Sequence, residues 1–183
     1  MKVRKRDVLQ RVHEILRRRW GELGLISGQG IATGERVEFL AEGKRVRCTI
    51  KTSSGGRVSF WRRDGKWSGL HDSDFVVIVA PTAFDADLVV SMFDHHTVKQ
   101  AFDANQAAQE KAGMGDVPNW IAPFHEEGRG VRGIGDGFDK KALWSEPLRP
   151  TNRPKSLTIQ EAKQQLSESL GVPVEAIEIV ISA

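Results

Sequence analysis

Hydrophobic residues along the chain follow two periods, and the positions where the period changes mark its elements. From about Arg4 to Trp20 apolar side chains recur at helical spacing, with Val8, Leu9, Val12, Ile15, Leu16 and Trp20 on one stripe and arginines crowding the other face. The period then falls to two. Val37 and Phe39 alternate with Glu38, and Val46, Cys48 and Ile50 alternate with Arg47, Thr49 and Lys51. Joined at Glu42-Gly43-Lys44, these runs predict a hairpin in which Thr49 and Lys51 share one face and Cys48 and Ile50 the other. The intervening Gly21 to Gly34 is glycine-rich and reads as a turn with a short, irregular strand.

After a Ser-Ser-Gly-Gly break, the pattern predicts a strand from Arg57 to Arg62, a turn at Asp64-Gly65, and an apolar strand from Phe75 to Val79 ended by Pro81. These are expected to complete one central sheet. Asp94 is placed to cap a helix running to Ala112, with Val98, Ala101, Phe102, Asn105 and Ala108 on its stripe and Gly113 as its stop. This helix is expected to cover a face of the sheet. Val117 to Phe124 reads as a further short strand. The glycines at 128, 130, 133, 135 and 137 read as a flexible surface loop, since neither a strand-then-helix context nor a Gly-Lys-Ser/Thr ending supports a phosphate loop. Arg129 and Arg132 leave a nucleic-acid contact open there.

The expected fold class is α/β: residues 1–148 form one domain with a mixed sheet flanked by helices, and 149–156, with two prolines and no apolar period, form a linker. Residues 157–183 read as a helix-strand appendage, with a Thr158/Glu161 capping box, a stripe of Ile159, Ala162, Leu166 and Leu170, a stop at Gly171, and alternating Ile177, Ile179 and Ile181. So short a piece must pack on the main domain, on a second copy of itself, or on another protein.

Composition narrows the chemistry. No apolar run approaches the roughly 20 residues that span a membrane, so a cytoplasmic location is expected. The lone Cys48 excludes an internal disulfide, and the absence of a Gly-x-Ser-x-Gly elbow sets acyl-transfer hydrolases aside. The net charge of +3 hides an asymmetry: residues 1–63 carry 16 Lys/Arg against 6 Asp/Glu, and the remainder 11 against 18. Such a field suits a surface that tracks a phosphate backbone, and equally a solvated, solubilising face. There are five tryptophans and no tyrosine, and Trp61 and Trp67 flank the basic turn Arg62-Arg63-Asp64-Gly65-Lys66. Aromatics among cations stack on unpaired bases when exposed, and otherwise belong to a core. His71 with Asp72 and Asp74, and Asp94-His95-His96, lack further metal ligands at diagnostic spacing and read as strand-start and helix-start polar groups.

An acid at Glu38 on one strand, and Lys51 two residues beyond Thr49 on the next, followed by Lys51-Thr52 and later by Asp74 before an apolar strand, resembles the PD-(D/E)XK, or restriction-endonuclease-like, superfamily over roughly the first half of the chain. In that family an acid precedes a Glu-x-Lys on the neighbouring strand. Glu38 matches the first acid and Lys51 the lysine, while Thr49 stands where the second carboxylate or a glutamine belongs. The resemblance implies a restriction-endonuclease-like core and a Mg²⁺ held by Glu38 with Glu14, a helix glutamate, or less readily Glu42, with Lys51 orienting water. Together with the basic character of residues 1–63 it points to nucleic acid, DNA more than RNA, as partner, with Arg11, Arg17, Arg18, Arg19, Arg57, Arg62 and Arg63 as backbone contacts. Cleavage would be weak, altered or lost because of Thr49. The alternative is a non-enzymatic regulatory or protein-interaction module with a basic solubilising helix, whose 157–183 segment meets a second copy or another protein.

Overall fold

A computed structural model describes residues 5–26, 34–81, 87–114, 119–125, 130–148 and 159–180. The chain divides into two compact units, Met1–Arg149 and Pro150–Ala183. In the first, helix α1 (Lys5–Trp20) is followed by strands β1 (Gly24–Leu25), β2 (Glu35–Ala41), β3 (Lys44–Thr52), β4 (Arg57–Arg63), β5 (Lys66–Trp67), β6 (Phe75–Pro81) and β7 (Leu88–Asp94). Helix α2 (His95–Lys111) and strands β8 (Asn119–Pro123) and β9 (Trp144–Pro147) complete it. The result is an α/β fold built on a mixed six-stranded sheet, order β1-β2-β3-β6-β7-β9, with a separate three-stranded sheet β5-β4-β8.

Both two-residue hairpin turns have positive φ where the right-handed twist of the strands demands it: Glu42 (51°) with Gly43 (75°), and Asp64 (49°) with Gly65 (73°). They set the registers Ala41↔Lys44 and Arg63↔Lys66. β3 then runs parallel to β6, which it meets at Thr49↔Val76 and Lys51↔Ile78, and β6 pairs antiparallel with β7.

Each face of the large sheet has its own core. On one side Val8, Val12, Ile15 and Leu16 of α1 pack on Val37, Phe39, Cys48, Ile50, Val77 and Val79. On the other, Val76, Ile78 and Phe93 meet Phe60 and Trp67 of the small sheet, Phe102 of α2, and Phe124 and Phe138. Phe60 and Trp67 meet the Phe102 ring edge-on, with centroids 5.0 and 5.4 Å away. Asp94 caps α2, its carboxylate accepting bonds from the Thr97 amide (2.8 Å) and hydroxyl (2.7 Å). Burial pushes this carboxyl up, and those bonds more than reverse it, holding it below its ordinary range.

Three expectations are corrected. The strand starting at Arg57 does not join the central sheet: β4 pairs with β5 and β8, because the edge of β3 it would need is taken by β6. The glycine-rich segment, in its described part, is docked rather than free. Val131–Gly133 forms a 3₁₀ turn, the Asn105 amide donates to the Ile134 carbonyl (2.8 Å), and a Cβ on Gly135 would lie 2.2 Å from the Ala101 carbonyl oxygen. In the second unit α3 (Ile159–Leu170) forms, but Ile177 and Ile179 follow a 3₁₀ turn (Val174–Ala176) without becoming a strand. Among the described residues of that unit there is no neighbouring strand to receive the backbone hydrogen bonds. Gly128, Arg129, the linker at 149–156, Thr158 and Ile181 lie outside the described residues, as does the Arg132 side chain.

Candidate nucleic-acid interface

Strand register decides what the Glu38, Thr49 and Lys51 pattern becomes. Glu38 is paired with Arg47 and Arg36 with Thr49, so alternation puts Arg36, Glu38, Arg47, Thr49 and Lys51 on one face, the face turned away from α1. The three residues are therefore on the same side but not side by side. Lys51 lies four positions along β3 from the partner of Glu38, about 13 Å at strand rise. Glu14 is exposed on α1, beyond the opposite face of the sheet, so the fold does not bring it to Glu38.

Each member has its own local engagement. Glu38 packs over Gly24 of β1 and accepts a bond from Arg45 (3.1 Å). Thr49, fully buried, donates to the Gly69 carbonyl (2.6 Å) and lies 2.7 Å from the Ser73 hydroxyl, which itself donates to Gly69. The loop from Gly69 to Ser73 thus closes over Thr49. Lys51 is 8% exposed, its ammonium 4.4 Å from the centroid of the Phe60 ring. Burial, and after it repulsion from Lys5, pulls this lysine down to about 8. Cys48, on the α1 side, is pushed up to about 12 by burial, as suits an inert core thiol. The charges around His71 are also committed: Asp72 lies 2.9 Å from its ring and 3.7 Å from Arg36, and Asp74 accepts the Arg47 amide (2.8 Å). Among the described residues no group of three His, Cys, Asp or Glu side chains is placed to hold a metal ion.

The arginines separate into three sets. At the end of α1, Arg18 and Arg19 both bind Glu146 of β9 (2.6 and 2.9 Å), Arg19 also covers the Trp144 ring at 4.2 Å, and Arg17 is exposed. Burial pushes the Glu146 carboxyl up, and the Arg19 and Arg18 bonds outweigh it and hold it low. Arg11 is drawn inward, donating to the Leu148 carbonyl, and its burial lowers its pKa. On β4, Arg62 faces the interior, over Trp67 at 5.7 Å and 3.8 Å from Glu110 of α2, whereas Arg57 and Arg63 are exposed.

The two tryptophans flanking the basic turn also part company. Trp67 is 2% exposed and its indole N–H donates to Asp103 (2.8 Å), which removes it from any surface role. Trp61 is half-buried on the opposite face of β4, 5.9 Å from the Arg63 guanidinium. The register adds to the sequence reading of this basic turn that the two-residue Asp-Gly turn places Lys66 directly opposite Arg63.

No helix among the described residues is long and apolar enough to cross a membrane. Comparison with models of protein families, with curated proteins and with solved structures returns no match for the chain.

Proposed function

We propose that this protein binds nucleic acid, DNA more than RNA, as a relative of the PD-(D/E)XK-like kind that keeps the cationic surface and lacks a working cleavage centre. The observation that carries the binding half is charge placement. Among the cations of residues 1–63, Arg6, Arg17, Lys44, Arg47, Arg57 and Arg63 lie at exposed positions. Such a surface gains affinity by releasing counterions from phosphates. The loss of cleavage is supported by the centre itself: Glu38 and Lys51 stand apart, Thr49 is sealed by Gly69 and Ser73, and the lysine is enclosed. These donors do not fit a Mg²⁺ bound between two strand carboxylates.

Fluorescence anisotropy with labelled duplex and single-stranded oligonucleotides, titrated with salt from about 50 mM upward, tests the binding half. Affinity falling steeply with salt is the expected result, and absence of binding near 50 mM overturns it. Incubation of the same oligonucleotides with Mg²⁺ or Mn²⁺ is expected to leave them intact. Metal-dependent cleavage abolished by Glu38→Ala or Lys51→Ala overturns the second half.

A second reading, a protein-interaction module acting through 157–183, is favoured by one specific observation: Ile159, Leu166 and Leu170 of α3 form a stripe that is exposed. Light scattering of wild type against Leu166→Glu tests it, with loss of a dimer in the variant as support and a monomeric wild type as refutation of self-association.

A further inference from the structure

We propose that the outer face of the small sheet, formed by Arg57, Ser59, Trp61 and Arg63 of β4 with Lys66 of β5, binds single-stranded nucleic acid, one base stacking on Trp61 while the cations hold flanking phosphates. This rests on the nucleic-acid reading above and specifies the surface and the form of the polymer.

The face follows from alternation. Val58 and Phe60 point into the core, Arg62 is paired with buried Trp67, and the odd-numbered residues of β4 therefore point outward together. Register adds Lys66, opposite Arg63, to the same side. Alternate positions on a strand are about 6.6 Å apart, so Arg57 to Arg63 make a row of about 20 Å with the indole between its two cations. The hairpin from Arg57 to Trp67 carries four cations and a single acid, Asp64, at its tip.

Among the tryptophans whose side chains are described, Trp61 stands outside both apolar cores. Trp67 is in one of them, and Trp20 and Trp144 pack against the other. A half-buried indole held beside a guanidinium is a platform for the π-face of a base, and stacking of this kind tolerates any sequence. Single strands fit better than duplex because an indole stacks only on a base free of its neighbours. The α1 arginines are a weaker candidate, because Glu146 already neutralises part of their charge.

The test uses the full chain and fluorescence anisotropy with labelled oligo-dT and oligo-rU of about 12 nucleotides and a duplex of equal length. Trp61→Ala is expected to weaken single-strand binding by roughly 5- to 100-fold and to leave duplex binding within about 2-fold, whereas Trp61→Phe stays within about 3-fold of wild type. Arg57→Ala with Arg63→Ala is expected to flatten the slope of log affinity against log salt by about 1.4 for single strands. Circular dichroism melts confirm that the variants fold. Single-strand binding that ignores Trp61, Arg57 and Arg63, or binding of duplex alone, overturns this surface and leaves the broader reading standing. Absence of binding to any oligonucleotide overturns both. The ratio of oligo-dT to oligo-rU affinity distinguishes DNA from RNA.

Discussion

Lys51, singled out in the sequence by its spacing from Thr49, is enclosed in the fold against the Phe60 ring. Its folded value of about 8, against an ordinary 10.5, means that below pH 8 the fold holds a charge it disfavours, a difference on the order of 3 kcal/mol. Between about pH 8 and 10.5 the unfolded chain binds more protons than the folded one, so this contribution to stability rises with pH through that window. Lys51→Met, a neutral side chain of similar length, is expected to be more stable than wild type at pH 7 and to lose the advantage by pH 10.5. Cys48, whose raised value acts in the opposite sense above pH 9, cancels in the comparison of wild type with variant. Urea unfolding at the two pH values measures it, and a variant less stable at pH 7 would show that the ammonium bonds there outweigh burial. Thr49 gives the companion prediction. Thr49→Glu puts a carboxylate under the Gly69–Ser73 loop in place of two hydroxyl bonds, and is expected to lower stability by several kcal/mol without creating Mn²⁺ affinity by calorimetry. Manganese binding by the variant would mean that the loop opens to form a metal site.

Elements, by contrast, were mostly legible, because their signals are local. The stripe of α1, the cap at Asp94 and the two-residue turns each depend on residues within a few positions of one another. The glycine-rich segment escaped for the opposite reason. One of its glycines, Gly135, answers to a distant partner, the Ala101 carbonyl of α2, which no local pattern reveals. Two glycines separate strain from clash. Gly135→Ala meets that carbonyl at 2.2 Å with φ +84° and is expected to cost more than about 2 kcal/mol, whereas Gly113→Ala, at the stop of α2 with φ +70° and open space around it, should cost about 1 kcal/mol. Equal losses in urea titrations would refute the docked loop.

At the scale of the whole molecule, charge asymmetry is a sequence property but its availability is not. Arg18 and Arg19 share the single charge of Glu146, so replacing Arg17, Arg18 and Arg19 together is expected to flatten the duplex salt slope by about 1.8, two phosphates' worth, rather than by about 2.7, and Glu146→Gln to strengthen binding. Anisotropy across a salt series checks both, and a change near 2.7 would show all three on phosphates. By itself the sequence determined the α/β class, the hairpin of β2 and β3, the face shared by Thr49 and Lys51, and the basic character of the first 63 residues. Alternation and helical period are rules of the chain's own geometry, independent of neighbours. Only the tertiary structure decided that β4 leaves the central sheet, that Lys51 and Thr49 are buried while Trp61 is half-buried outside both cores, and that Glu14 and Glu38 are parted by the sheet. A strand's pattern says which residues share a face; which edge it pairs with, and what then packs over that face, depends on segments far away in the chain.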